Sequence, residues 1–155
     1  MIKSLCSKNI FYNEIDCDFC KKKSSEMSRT VLLSKMPQYL IFTLSRFKFM
    51  KNERHKIFSQ VEIYEKLDFG VLFPQQTEMA DSIYSLYGII VHIGQTTDAG
   101  HYYTLIRDEN DDRKWYCLND NVCYLIENLS KITEIFKSHP VDTPYMLFYK
   151  RISKK

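Results

Sequence analysis

The sequence predicts an α+β fold that consists mainly of an antiparallel β-sheet with a few short helices. The chain has 155 residues, of which 11 are Tyr and 10 are Phe, and aromatic residues suit half-buried strands. Short apolar runs separated by polar turns also outnumber helical patterns. With 45% hydrophobic residues and only four Gly and four Pro, the composition is that of an ordinary single globular domain and excludes a disordered chain.

The first half of the chain is predicted to contain two strands. Residues 39–49 are apolar, branched and aromatic, follow Pro37, and end in a polar turn at 51–56, so they predict a strand with a buried inner end. Residues 60–67 alternate moderately and predict a second strand. The polar stretch 73–81 predicts a connection to the second half.

The second half is predicted to contain three strands in succession. Residues 82–93 are rich in Ile, Tyr, Leu and Val and predict a long strand, and the glycine-bounded segment 94–100 predicts a loop. Residues 101–106 form the next strand. The highly charged segment 107–114 predicts a turn, from which residues 115–118 return antiparallel.

The end of the chain completes the predicted sheet. Residues 122–126 continue it, and residues 127–137 place apolar side chains at helical spacing, which predicts a helix. Pro140 and Pro144 bracket a loop that leads to a last strand at 145–150.

Charge and cysteine content limit the partners and the compartment. The net charge is 22 − 19 = +3, too small and too evenly spread to predict nucleic-acid binding. No apolar run approaches the ~20 residues that cross a membrane, and the N-terminus lacks the pattern of a secretory signal. Five cysteines, an odd number, indicate reduced thiols and an intracellular location in the cytoplasm or nucleus.

The predicted hairpin brings one histidine and one asparagine together. His101 opens its strand and Asn119 closes the next, and their midpoint, (101 + 119)/2 = 110, lies in the charged turn. The two side chains are therefore expected to lie opposite each other on one sheet face, with Cβ atoms ~5 Å apart. Asp120 is expected to point to the other face unless a bulge intervenes.

A histidine oriented by an asparagine is two-thirds of a thiol-protease site, because the imidazole takes the thiol proton and the amide fixes its tautomer. The alternative is an ordinary cross-strand polar pair. The loop before His101 favours the catalytic interpretation, since loops held by a rigid sheet commonly carry catalytic groups. By contrast, His92 lies inside a strand and is expected to be a core or cleft-lining residue.

Several motifs resemble the ubiquitin-specific proteases. The second half carries the likeness to the histidine box of that family, in the segments Tyr84–Gly94, Ala99–Tyr103, Trp115–Asp120 and Pro144–Tyr149. Met36–Phe47 resembles the segment of the family that ends in Arg-Phe, and Cys17-Asp18-Phe19-Cys20 lies where the family has one knuckle of a four-cysteine zinc ribbon. The likeness spans about residues 15–150, and the wording of the motifs looks closest to the subgroup of ubiquitin carboxyl-terminal hydrolases 35 and 38.

The resemblance implies a fold, an activity and site residues. The chain would be a partial catalytic domain over 1–155, with 1–35 a remnant of the zinc-ribbon fingers and 36–155 the palm of a papain-like fold. Its function would be thiol-dependent cleavage of ubiquitin from ubiquitinated proteins, without a catalytic cofactor. His101 becomes the general base, Asn119 its orienting partner, and Asp120 a second acidic position that assists or competes.

The resemblance also implies a channel for the ubiquitin tail. Gly100, Tyr102 and His92 would line it, and aromatic walls and glycines would exclude side chains larger than glycine.

Two features of the family are incomplete in this sequence. No segment matches the glycine-, asparagine- and threonine-rich approach to the nucleophilic cysteine, so we expect this chain alone to be inactive, as a fragment of a longer domain or a degenerate relative. Cys117 is expected to be a core residue and not a nucleophile. A catalytically inactive module that binds ubiquitin or scaffolds other proteins is the alternative.

The zinc site is the second incomplete feature. A structural zinc ion takes four ligands; Cys17 and Cys20 supply two, and Cys6 and His55 are the nearest other candidates. Either this half-site binds Zn²⁺ or two exposed thiols remain from a lost site.

Overall fold

The computed structural model describes residues 9–11, 15–24, 26–30, 32–51, 53–74, 76, 81–96 and 99–152. Strands dominate these residues, and two helices accompany them. The strands are β1 (Asn9–Phe11), β2 (Ile15–Asp16), β3 (Lys23–Ser24), β4 (Met27–Arg29), β5 (Tyr39–Thr43), β6 (Phe47–Met50), β7 (Glu53–Lys56), β8 (Lys66–Asp68), β9 (Ile83–Ile93), β10 (His101–Arg107), β11 (Trp115–Asn119), β12 (Val122–Ile126) and β13 (Asp142–Ile152). The helices are α1 (Phe69–Leu72) and α2 (Leu129–Ser138).

A seven-stranded sheet forms the centre of the fold. Six strands follow the order β12-β11-β10-β9-β13-β5, and β8 pairs with the part of β9 that β10 leaves open. Every pairing is antiparallel. The predicted α+β class with a mainly antiparallel sheet is therefore confirmed.

The core lies against one face of this sheet. Its largest fully buried side chains belong to β9, β10, β11, β13, α2 and the residue after α1; they are Trp115, Tyr84, Tyr149, Phe73, Leu86, Ile89, Leu105 and Ile132. On the same face, α2 buries Ile132, and the Asn128 side chain caps the helix by accepting a hydrogen bond from the Lys131 amide at 3.0 Å. The predicted helix at 127–137 is confirmed. Neither helix of the described residues is long and apolar enough to cross a membrane.

Two bulges set which side chains face the core. Tyr87 on β9 is an extra residue, because Phe148 pairs with Gly88 and Tyr149 pairs with Leu86. The alternation of β9 changes phase there, so that both Leu86 and Ile89 are buried. On β13, Tyr145 is the extra residue between the pairs Pro144–Val91 and Met146–Ile90.

The predicted strand at 39–49 is wrong in its continuity. The structure divides it into β5 and β6 around Leu44, whose amide donates to the Tyr145 carbonyl at 2.8 Å. Arg46 then turns inward, is buried, and donates through Nε to the Pro144 carbonyl at 3.0 Å. Anchoring of this guanidinium directs the chain away from the sheet, and β6 pairs with β7 in a separate hairpin.

The predicted strand at 60–67 is also wrong for most of its length, since only 66–68 pair as a strand. The polar groups of this segment bind elsewhere: the Tyr64 carbonyl accepts from the Tyr149 hydroxyl at 2.7 Å, and the Glu65 carbonyl accepts from the Leu86 amide at 2.8 Å. These single bonds satisfy the backbone without a ladder.

The N-terminal region forms two small hairpin-like pairs, β1 with β4 and β2 with β3. The sequence did not predict these strands, which are two or three residues long. The division of the chain at residue 35 stays a prediction.

Candidate active site

His101 lies at the mouth of the hairpin formed by β9 and β10. It is the first residue of β10 and pairs with Ile93, the last residue of β9. Its side chain is 42% exposed. A strand start next to a loop fixes the backbone of the histidine and still leaves one side of the imidazole open to a second reactant.

The His101 Nε2 atom and the Asn119 Oδ1 atom lie 2.5 Å apart. The predicted contact between these side chains is therefore present, although the register differs from the predicted one. Thr104 pairs with Leu118, which places Tyr103, and not His101, across from Asn119. The two partners are diagonal neighbours on the same face, because a two-residue offset preserves side-chain direction.

This hydrogen bond determines what the imidazole can do. An amide oxygen only accepts, so Nε2 carries the proton, and in the neutral ring Nδ1 then holds the lone pair. His101 is thus arranged as a base that takes a proton at Nδ1, with Asn119 fixing tautomer and ring plane.

Asp120 lies on the same side as Asn119 and not on the opposite face. Its backbone has φ of 50°, in the left-handed region, within the tight turn between β11 and β12. The turn brings its Oδ2 atom to 3.7 Å from His101 Nε2, and the side chain is 77% exposed. The carboxylate is therefore a second, longer-range partner of a nitrogen that already binds Asn119.

Gly100 sits directly on the ring of His92. A Cβ atom at position 100 would lie 2.1 Å from His92 Nε2 and 2.6 Å from the Ile93 carbonyl oxygen, so only glycine fits there without displacement. His92 itself is 2% exposed, and burial, followed by the charge of Lys56, lowers its pKa. The direct contact of His92 with a ubiquitin tail that the resemblance implied is not supported, because its ring lies beneath the backbone of Gly100.

Aromatic rings surround His92 on the sheet face opposite the imidazole of His101. Tyr102 pairs with His92 across the strands, its ring centroid lies 4.8 Å away, and it remains 50% exposed. Phe47 meets His92 edge-on at 5.5 Å, and the bulged Tyr145 lies 5.8 Å from Tyr102. Of this cluster, Tyr102 presents an accessible wall next to Gly100.

The two cysteines of the central sheet, Cys117 and Cys123, are not placed to react with His101. Cys117 is buried, burial raises its pKa, and it pairs with Leu105. Leu105 is four residues along β10 from His101, roughly 13 Å away. Cys123 is exposed but pairs with Leu118, on the other face of β11.

Cys17 and Cys20 form an exposed turn between β2 and β3. The Cys17 amide donates to the Lys22 carbonyl at 3.1 Å, and backbone hydrogen bonds from Cys20 and Phe19 to the sulfur lower the pKa of Cys17. Such a turn fits two ligands of a tetrahedral zinc site. The described residues contain no group of three or more potential ligands, so they fit half of such a site; Cys6 lies outside them.

Lys56 is the residue near this site that sequence reasoning missed. The sequence predicts a polar turn at this position, but the Lys56 side chain is buried and donates to backbone carbonyls, among them that of Gly94 in the loop before His101. The only signal in the sequence is its position just before the apolar pair Ile57-Phe58. The bulge that directs Tyr145 toward Tyr102 had no recognisable signal.

Known proteins are similar to this chain in sequence and in fold. The sequence profile described as ubiquitin carboxyl-terminal hydrolase matches residues 2–149. The Ubl carboxyl-terminal hydrolase 18 of Homo sapiens is 31% identical over 144 residues, covering 88% of this chain and 38% of that protein. The ubiquitin carboxyl-terminal hydrolase 4 of Arabidopsis thaliana is 28% identical over 168 residues, covering 97% and 43%.

A solved structure supports the fold. The SAGA Ubp8/Sgf11/Sus1/Sgf73 DUB module bound to ubiquitin aldehyde superimposes with a TM-score of 0.75 at 21% identity, over 99% of this chain and 33% of that chain. The chain spans about two-fifths of the length of the human and Arabidopsis hydrolases. On the match of nearly its whole length, the chain belongs to the ubiquitin carboxyl-terminal hydrolase family.

Proposed function

We propose that this chain supplies the histidine side of a cysteine-type deubiquitinase site. The observation that carries the proposal is the 2.5 Å contact between His101 Nε2 and Asn119 Oδ1. It gives the imidazole one fixed tautomer, and the side chain is 42% exposed, as a general base requires. Family membership supports the reaction class.

The proposed reaction uses a thiol from outside the described residues. Nδ1 of His101 takes the thiol proton, and the thiolate attacks the carbonyl carbon of the ubiquitin C-terminal glycine. The imidazolium, stabilised by the Asn119 amide oxygen, then gives its proton to the leaving amine, and a thioester remains. Water hydrolyses the thioester in a second, equivalent cycle, with His101 again acting as base.

We further propose that the ubiquitin tail passes Gly100 and Tyr102. The backbone of Gly100 is exposed, so an extended segment can approach it, and the half-exposed ring of Tyr102 provides an apolar wall. The similar solved structure that is described as bound to ubiquitin aldehyde supports ubiquitin as the partner.

A nucleophile-less ubiquitin-binding module is the second candidate function. The placement of Cys117 favours it, since the one described thiol on the His101 face is buried with a raised pKa. In both cases the four described free thiols suit a reducing compartment, the cytoplasm or nucleus. The closer similarity to hydrolases 35 and 38 stays a prediction.

An NMR titration tests whether the tail is recognised. The ¹⁵N-labelled chain is titrated with ubiquitin and, as a matched control, with ubiquitin lacking its last two glycines. We expect shifts at Gly100, His101 and Tyr102 with intact ubiquitin that are reduced or absent with the truncated form. The same shifts with both forms, or none with either, would contradict recognition of the tail.

An activity assay distinguishes the two candidates. With a ubiquitin–aminocoumarin substrate, the chain alone is expected to release no fluorophore. The deubiquitinase proposal predicts release once a cysteine-bearing segment of a related domain is added, and loss of that release in His101→Ala; the binding module predicts none with any addition. Turnover by the chain alone that Cys117→Ala abolishes would overturn our assignment of the nucleophile.

A further inference from the structure

Lys56 ends β7 with its ammonium group inside the protein. The residue is 7% exposed. Its Nζ atom donates to three backbone carbonyls, those of His92 at 3.0 Å, Gly94 at 2.8 Å and Val141 at 2.8 Å. An ammonium has three donors, so all three are used, and every acceptor is main chain.

These three carbonyls surround the strand end that holds His101. Ile93 lies between two of them in the chain and pairs with His101 on one side and with Asp142 on the other. Val141 immediately precedes Asp142. Lys56 therefore ties β9 to β13 at the residue pair where β10 begins.

The contact with Gly94 extends this tie to the loop before His101. Gly94 has φ of 136°, a conformation that favours glycine. A Cβ atom there would lie 2.9 Å from the Ala99 carbonyl oxygen and 3.1 Å from the Gly100 Cα. The two ends of the loop thus touch, and a shift of Gly94 displaces Gly100, the residue before His101.

Charge does not explain why a lysine is buried here. Asp142 on β13 is the carboxylate that favours its charged form, whereas Arg46, another buried cation, opposes it. Burial is the largest effect and lowers the Lys56 pKa to about 8. An ammonium held against this desolvation cost gives directional hydrogen bonds that an apolar side chain cannot replace.

We infer that Lys56 is a positioning residue for His101: it holds Gly94, and through Gly94 also Gly100, together with the β9 end, so that the imidazole meets Asn119. The inference gives the proposed function its geometric basis and rests on it for any catalytic consequence. The geometry itself can be measured without ubiquitin or a nucleophile.

The test is the tautomer of His101 in the Lys56→Met variant of the whole chain. Long-range ¹H–¹⁵N NMR of the ring separates the Nε2–H from the Nδ1–H form. The unmodified chain is expected to show the Nε2–H form, and Lys56→Met is expected to lower the ratio of the two forms by roughly 2- to 10-fold, the factor that one hydrogen bond carries. Lys48→Met, the same change at an exposed site in the same hairpin, is the control and should leave the ratio unchanged.

A second measurement applies if Lys56→Met does not fold. In the unmodified chain, raising the pH removes a proton from Lys56 and with it one of its three donors. In a pH titration, the His101 ring signals should therefore shift with the same midpoint as the Lys56 Cε resonance. Arg46, Asp142 and His92 are the charged or titratable groups around Lys56, and their signals are followed together.

The outcomes separate this inference from the proposed function. An unchanged His101 tautomer ratio in folded Lys56→Met, or His101 signals that ignore the Lys56 titration, would overturn the positioning role. A lowered ratio together with no response to ubiquitin would leave the positioning role intact and refute the ubiquitin site.

Discussion

Substitution of Gly100 by alanine tests the contact between the loop and the His92 ring. The new Cβ would lie 2.1 Å from His92 Nε2, and ordinary contact begins at 3.4 Å, so the loop or the ring must move by about 3.4 − 2.1 = 1.3 Å. The Ile93 carbonyl at 2.6 Å blocks a second direction. Overpacking of this kind costs roughly 1–3 kcal/mol.

Gly88→Ala is a matched control within the same sheet. A Cβ there would meet the Phe148 side chain at 3.5 and 3.7 Å, which are ordinary contacts. Both substitutions reduce the freedom of the unfolded chain by similar amounts, so that effect cancels in the comparison. For a domain of this size, 1 kcal/mol corresponds to roughly 2–4 °C, and Gly100→Ala should melt roughly 2–12 °C below Gly88→Ala.

The assay is thermal unfolding followed by circular dichroism, together with the NMR signals of the His101 ring. We expect the ring signals to move in Gly100→Ala only. Adding His92→Ala to Gly100→Ala should recover part of the loss, since the ring provides two of the three close contacts, and the coupling energy of the cycle measures that share. Equal melting of the two alanine variants, with an unmoved His101, would refute the steric argument.

Three further predictions concern the His101–Asn119 pair, the buried Lys56 and the Cys17–Cys20 turn. In a complete catalytic domain, Asn119→Ala should lower kcat in ubiquitin–aminocoumarin hydrolysis by roughly 100-fold or more, because the tautomer of His101 is no longer fixed. Asn119→Asp should keep more activity than Asn119→Ala. Equal kcat values for the two variants would contradict the orienting role. Since burial lowers the Lys56 pKa from 10.5 to about 8, the unfolded chain binds more protons between these values, and the free energy of unfolding should rise with pH there; urea titrations should show a smaller rise in Lys56→Met, and an identical rise would exclude this group as its source. Titration with Co²⁺ should give only a weak thiolate-to-cobalt absorption band, and this band should disappear in the double variant Cys17→Ser/Cys20→Ser. Tight binding with the spectrum of tetrahedral Co²⁺ in the double variant would place the metal site elsewhere.

The hairpin that carries His101 and Asn119 was predictable because its turn residues are local. The register was not, since it depends on how the charged turn closes. The Asp108 amide donates to the Lys114 carbonyl, and the Asp108 side chain accepts from the Asn110 amide, which centres the turn one residue later than the charge pattern suggests. A shift of the turn centre by one residue changes each pairing by two residues. A two-residue change keeps the side-chain direction, so His101 and Asn119 still lie on the same face of the sheet, as predicted.

The features that sequence reasoning missed depend on contacts between distant segments. Lys56 is polar by type, and only the arrival of Gly94 and Val141 turns it into a buried donor. The segment 60–67 has a strand-like alternation, but two of its carbonyls accept isolated hydrogen bonds, one from the Tyr149 hydroxyl and one from the Leu86 amide. The periodicity of the neighbouring sequence indicates neither the burial of Lys56 nor these isolated hydrogen bonds.

One edge of the sheet is β5, where Tyr39 and Ile41 are about half exposed, and no further strand among the described residues pairs with its free side. A row of unpaired amides and carbonyls next to apolar side chains is a template for strand addition. Storage of the purified chain at high concentration would therefore favour edge-to-edge self-association through Tyr39–Thr43, and a charged residue placed at Ile41 is the simplest way to suppress it without approaching the histidine.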